Sequence, residues 1–184
     1  MFVLMNTESC RIALLLSCLL FSRAIPFAGE SPKTLNVGDA APLIEGKDQD
    51  GKTWKLADLI GKEIVLLYFY PKDDTPGCTK QACGWRDRMA DLQKDAVRVL
   101  GVSFDSAESH QQFIAKHQLK FPLLADTDGK IADAYRARIP GKNMARRVSF
   151  LIGRDGKIAH VTDNPGADIH LSEMKEAIAR LKKN

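Results

Sequence analysis

Across 184 residues the sequence has no run of like charges, no basic stripe interleaved with aromatics, no internal repeat and no low-complexity tract. The first two absences argue against a nucleic-acid partner. The formal charge of +4 is spread along the chain, part of it at the C-terminal Arg180, Lys182 and Lys183. The last two argue against a repeat array and against a largely disordered chain. The four histidines, His110, His117, His160 and His170, are scattered, and none stands at zinc-ligand spacing from a cysteine. They are expected at the surface, and no metal or organic cofactor is expected. The apolar run from Ile12 to Phe21 is too short to span a bilayer, which takes about 20 apolar residues.

What is present suits one globular domain. Hydrophobic residues make up 45% of the chain, enough for a single core at this length. The N-terminus differs from the rest. Arg11 precedes the Ile12 to Phe21 run, and small residues follow at Ala24 and Ala28. This pattern fits a secretory signal peptide over residues 1–28, cut after Ala24 or Ala28. A polar linker over 29–36 then leads into a domain at 37–184. Export, to the periplasm, is the expectation, with no stable membrane association after cleavage. Cys18 follows Leu15-Leu16-Ser17, which loosely resembles a lipoprotein cleavage box. That reading, an uncleaved anchor and a misassigned start are the lesser alternatives.

Of four cysteines, Cys10 and Cys18 fall in this leader, so the domain holds only Cys78 and Cys83. An oxidising compartment permits disulfides, and an ordinary structural bridge is the plain alternative for the pair.

The patterning predicts an α/β domain. Residues 43–46 and 53–55 flank the turn Asp48-Gln49-Asp50-Gly51 and read as a β-hairpin. Glu63 to Tyr70 is a continuous apolar and aromatic run between Gly61 and Pro71, a buried strand. A breaker-rich loop follows. A helix is then expected over Cys78 to Lys94, with Ala82, Trp85, Met89 and Leu92 on its apolar face. Val97 to Phe104 reads as a second buried strand, Ser106 to His117 as a helix capped by Ser106, 121–125 as a short strand and 127–134 as a short helix. Val148 to Ile152 and Ile158 to Val161 bracket a hairpin turn at Gly153-Arg154-Asp155-Gly156. An amphipathic helix over 168–182, with Ile169, Met174, Ile178 and Leu181 on one face, closes the chain. The order implies a mixed sheet flanked by helices.

Cys78 sits where the loop after a central strand enters a helix. Unpaired N–H groups and the positive end of the helix dipole lie there, and both favour a thiolate. The residues before it form a set, Pro71-x-x-x-Thr75-x-x-Cys78. Pro71 fixes the chain as it leaves the strand. The Thr75 hydroxyl both donates and accepts, so it suits a bridge between a thiolate and a peroxide oxygen. Gly77 permits close approach.

The segment Tyr68-Phe69-Tyr70-Pro71-Lys72-Asp73-Asp74-Thr75-Pro76-Gly77-Cys78-Thr79-Lys80-Gln81-Ala82-Cys83 closely resembles the active-site segment of peroxiredoxins of the bacterioferritin comigratory protein type, also called Q-type. Arg147-Val148-Ser149-Phe150-Leu151-Ile152 resembles the arginine-bearing strand of that family. The likeness runs from about Leu35 to the C-terminus. It implies a thioredoxin fold with an N-terminal hairpin, a peroxidatic Cys78, and supporting roles for Pro71, Thr75 and Arg147. It also implies reduction of hydrogen peroxide and organic hydroperoxides, a thioredoxin-like reductant and a monomer. Two positions depart from the family pattern: Gln81 stands where glutamate is usual, and Trp85 where phenylalanine is usual. Arg147 rather than Arg146 is matched, because it directly precedes the strand.

Helix geometry bears on Cys83. Residues five apart in one helix have Cα atoms about 8–9 Å apart, on sides differing by about 140°. A disulfide needs Cα atoms within roughly 7 Å. Two cysteines so placed bond only after local unwinding, which points to a redox cycle with Cys83 as the resolving partner. A thiol–disulfide oxidoreductase of the same fold normally carries C-x-x-C, whereas this chain has C-x-x-x-x-C. An exported non-enzymatic domain with a structural disulfide is the other alternative.

Overall fold

The computed structural model describes residues 35–182. The expected signal peptide with its cleavage sites, Cys10 and Cys18 lie outside these residues, as does most of the expected linker. The first elements among the described residues are β1 (Glu45–Lys47) and β2 (Thr53–Lys55), an antiparallel pair around the predicted turn. Asp48 closes that turn, accepting hydrogen bonds from the backbone N–H groups of Asp50 and Lys52 and from the Trp54 indole at 2.7 Å. A single helical turn, α1 (Leu56–Leu59), leads to β3 (Ile64–Phe69). Next come α2 (Pro76–Arg86), α3 (Met89–Lys94), β4 (Val97–Ser103), α4 (Ala107–His117), β5 (Leu123–Ala125) and α5 (Lys130–Ala134). The chain ends with β6 (Val148–Ile152), β7 (Ile158–Asp163) and α6 (Ala167–Leu181).

Five strands form one mixed sheet in the order β5-β4-β3-β6-β7. β3 and β4, and β4 and β5, run parallel, while β3–β6 and β6–β7 are antiparallel. The parallel half comes from helical crossovers and the antiparallel half from the closing hairpin, as the patterning predicts.

β3 is central and buried on both faces. Its side chains alternate between two apolar layers. Ile64, Leu66 and Tyr68 pack with Trp85, Phe113, Met174 and Ile178 under α2, α4 and α6. Val65, Leu67 and Phe69 pack with Leu56, Ile131, Tyr135 and Phe150 on the other side. Burying a side chain of this size contributes about 1.5–3 kcal/mol, which is why a strand with no polar position is stable only here. Among the described residues, no helix is long and apolar enough to cross a membrane.

Three expectations need correction. The helix expected over 78–94 is two helices, and the first begins at Pro76. At Arg88 the backbone leaves helical geometry, with φ −102° and ψ 0°. The Arg88 N–H turns to the Trp85 carbonyl, and the Arg88 guanidinium donates to the Gly84 carbonyl at 2.8 Å in its place. The apolar spacing hides the break because Ala82, Trp85, Met89 and Leu92 all still face the core. Ile169 is not on the buried face of α6 but exposed, and Leu171, Met174, Ala177 and Ile178 carry the packing. The histidines are not all at the surface: His110 and His170 are wholly buried, while His117 and His160 are partly covered.

Candidate active site

α2 starts at the carboxyl end of β3, with Thr75 in the extended N-cap conformation and Pro76 as the first helical residue. Proline suits that position, since its missing N–H has no helical acceptor to meet. Cys78 is therefore in the first turn and only 1% exposed. The unpaired N–H groups of that turn and the helix dipole act on its sulfur.

Arg147, at the entrance to β6, reaches across to it. Its Nη2 donates to Cys78 Sγ at 3.3 Å. Its Nη1 donates to Gln81 Oε1 at 2.5 Å, and its Nε donates to the Pro165 carbonyl at 3.0 Å. The fork geometry of guanidinium makes these three bonds fix one orientation. Gly77 leaves the space for it, because a Cβ there would lie 3.1 Å from Arg147 Nη2. Arg146 faces elsewhere, donating to Asp163 at 2.9 Å and to the Arg136 carbonyl.

The loop before Cys78 is tied to α4. Asp73 is buried, and its carboxylate accepts from the Tyr70 hydroxyl at 2.7 Å and the Ser109 hydroxyl at 2.8 Å. His110 Nδ1 lies 2.8 Å from the same carboxylate. Burial alone would push the Asp73 carboxyl up, but the bonds from His110, Tyr70 and Ser109 outweigh it and hold it below the usual range. Burial pushes the Tyr70 and Tyr68 hydroxyls well above theirs. Asp74, at a left-handed φ of 59°, meets Lys116 at 2.6 Å and His117 at 2.8 Å.

Pro71 is half-buried at the exit from β3, and Thr75 lies three residues before Cys78. The Thr75 hydroxyl does not bond to Cys78 here. It donates to the Lys72 carbonyl at 3.1 Å, which leaves its oxygen lone pairs available to another donor. Cys83 lies in the same helix and is half-buried, and both thiols are free. Among the described residues there is no cluster of side chains able to hold a metal ion.

The structure thus brings Cys78, Arg147 and Gln81 together, with Thr75 and Pro71 in the adjoining loop and Cys83 further along the helix. Sequence reasoning missed Asp73, His110, His170 and the Pro165 carbonyl. Asp73 stands inside the quoted motif, so its position was visible although its partner was not.

Residues 37–161 match the model of the AhpC/TSA family. The chain belongs to the AhpC/TSA family. Within this family its relatives are Bcp-type peroxiredoxins. It is 40% identical over 147 residues to the putative peroxiredoxin bcp of Coxiella burnetii, covering 77% of this chain and 97% of that protein. It is 46% identical over 136 residues to peroxiredoxin Bcp of Escherichia coli, covering 71% of this chain and 86% of that one. The crystal structure of peroxidoxin BcpB from Mycobacterium tuberculosis superposes with a TM-score of 0.73 at 31% identity, covering 81% of this chain and 97% of that one. A peroxiredoxin Q structure from Xanthomonas campestris gives 0.69 at 28%, covering 82% and 98%. The mixed sheet and flanking helices of this peroxiredoxin are the thioredoxin fold that the resemblance implied. The protein is a thiol peroxidase.

Proposed function

We propose that Cys78 is the peroxidatic nucleophile and Cys83 the resolving one. The Cys78 thiolate attacks the distal oxygen of hydrogen peroxide or an organic hydroperoxide. The O–O bond breaks, water or alcohol leaves with a proton, and Cys78 becomes a sulfenic acid. The observation that carries this reading is the Arg147 donor 3.3 Å from a buried Cys78 sulfur at a helix N-terminus. A guanidinium so aimed stabilises both the thiolate and the charge that develops on the departing oxygen. In this reading Pro71 shapes the loop against the sulfur, and the Thr75 hydroxyl turns from the Lys72 carbonyl to the substrate oxygen.

The start of α2 then unwinds, because two cysteines five apart in one helix are out of bonding range. Cys83 attacks the sulfenic sulfur, water leaves, and a Cys78–Cys83 disulfide forms. A thioredoxin-like dithiol reduces it. Both cysteines lie in one chain, so a monomer completes the cycle. Residues 1–28 act, in this proposal, as an export signal that delivers the enzyme to an oxidising compartment.

The test is a peroxide-dependent assay coupled to thioredoxin. Cys78→Ser is expected to abolish turnover, and retained turnover removes the assignment. Cys83→Ser is expected to consume one equivalent of peroxide and then stop cycling with thioredoxin. Full cycling in that variant takes Cys83 out of its role.

A further inference from the structure

His170 is wholly buried on α6, yet it has no part in the chemistry proposed above. A polar ring so placed is costly unless both nitrogens find partners. They do. Nε2 lies 2.7 Å from the Asn164 carbonyl, and Nδ1 lies 2.8 Å from the Ser149 hydroxyl. A carbonyl only accepts, so Nε2 carries the proton and Nδ1 accepts from the serine. Asn164 opens a short turn between β7 and α6. The Asn164 side chain accepts from the Gly166 N–H at 2.8 Å, and the Pro165 carbonyl between them receives Arg147 Nε at 3.0 Å. Ser149 stands on β6, two residues after Arg147. The ring therefore ties the turn to the strand that begins next to the arginine.

We propose that His170 is the positioning residue for Arg147, holding the 164–166 turn so that the Pro165 carbonyl aims the guanidinium at Cys78. This rests on the role given to Arg147 under Proposed function. Arg147 has three anchors: Gln81, Pro165 and the cysteine sulfur. With the Pro165 carbonyl displaced, the guanidinium pivots about Gln81 and its Nη2 leaves the sulfur. The charged groups acting on His170 are Arg147, Glu173 and Asp163. Burial first, and then the Arg147 charge, hold its pKa below the usual histidine range, against the bond to the Asn164 carbonyl and the two carboxylates. The ring is then neutral at physiological pH and in the tautomer that the turn requires.

The test uses the reduced full chain and single-turnover consumption of hydrogen peroxide. His170→Asn keeps an acceptor for Ser149 but is too short to reach the Asn164 carbonyl, whereas His170→Gln presents its amide donor near the position of Nε2. His170→Asn is expected to slow the peroxide step roughly tenfold, as a displaced catalytic group does, and His170→Gln to stay within about twofold of wild type. In an Arg147→Ala background, His170→Asn is expected to cause no further loss. Equal rates for His170→Asn and His170→Gln, or additive losses with Arg147→Ala, overturn the proposal. A slow Arg147→Ala beside an unaffected His170→Asn overturns this inference alone. An unaffected Arg147→Ala overturns the arginine's role and the inference with it. If His170→Asn does not fold, Asn164→Ala loosens the same turn from a half-buried position, and an unchanged peroxide rate there overturns the proposal.

Discussion

His110 and His170 are both wholly buried, but the charged groups beside them differ in sign. The two nitrogens of His110 lie 2.8 Å from the Asp73 carboxylate and 3.3 Å from the Leu124 carbonyl. The nitrogens of His170 face a hydroxyl and a carbonyl, and the cation Arg147 acts on the ring. One histidine sits against a buried carboxylate, and the other sits beside a cation. Their tasks differ accordingly. The His110–Asp73 contact fastens to α4 the loop that leads into Cys78, next to the start of α2 that unwinds in the proposed cycle. His170 fastens the turn that holds Arg147, which in the proposed cycle acts in the peroxide step before that movement. The proposed cycle therefore assigns stability of the closed loop to the α4 side and rate to the α6 side.

Substitutions on the two sides test that division. The largest effect is expected from Asp73→Ala, which leaves His110 buried without its acid. Leaving the buried His110 ring and Tyr70 hydroxyl without this acceptor costs about 1–3 kcal/mol for each, read as a lower urea midpoint at unchanged slope. A loss below about 1 kcal/mol would mean that the pair is solvated like a surface bridge, and the comparison fails. Arg147→Ala comes next and should act on the other quantity. It is expected to slow the peroxide step by about 10²–10³-fold, the cost of removing one donor from a developing charge. Its urea midpoint should move little, since the side chain is half-buried. A stability loss equal to that of Asp73→Ala would merge the two sides into one structural unit.

Much of the fold was legible because its signals are local. The unbroken apolar run of β3, the turn residues of both hairpins and the Ser106 cap all act within a few residues. Cys78 was singled out by the spacing of its motif and Arg147 by the resemblance of its strand, and the structure places the two in contact. The histidines were not, because their partners are remote in sequence: Asp73 and His110 are 37 residues apart, and Ser149 and His170 are 21 apart. The misplacement of Ile169 has the same origin. Ile169 and Met174 are five apart, about 140° around a helix, so they do not share a face. The residue that continues the buried stripe is His170, and an apolar pattern skips a buried polar residue whose partners it does not contain.

The smallest effect expected is in the acid dependence of stability, and it separates the two sides by pH. The pKa of His170 is held below its ordinary value in the folded chain, so as pH falls the unfolded chain binds this proton first. The contribution of His170 is then complete above the ordinary histidine pKa of about 6.5 and is lost as pH falls through that region. The Asp73 carboxyl is also held low, so its contribution persists to lower pH and is lost only below the ordinary aspartate value of about 3.9. Urea midpoints of wild type and His170→Gln, compared from pH 8 to pH 5, should converge as pH falls, because only the wild type loses the histidine contribution in that range. Midpoints that stay parallel would show that His170 takes up its proton as readily folded as unfolded. The ring beside the arginine would then take up its proton through the ordinary histidine range, and the separation of the two sides by pH would not hold.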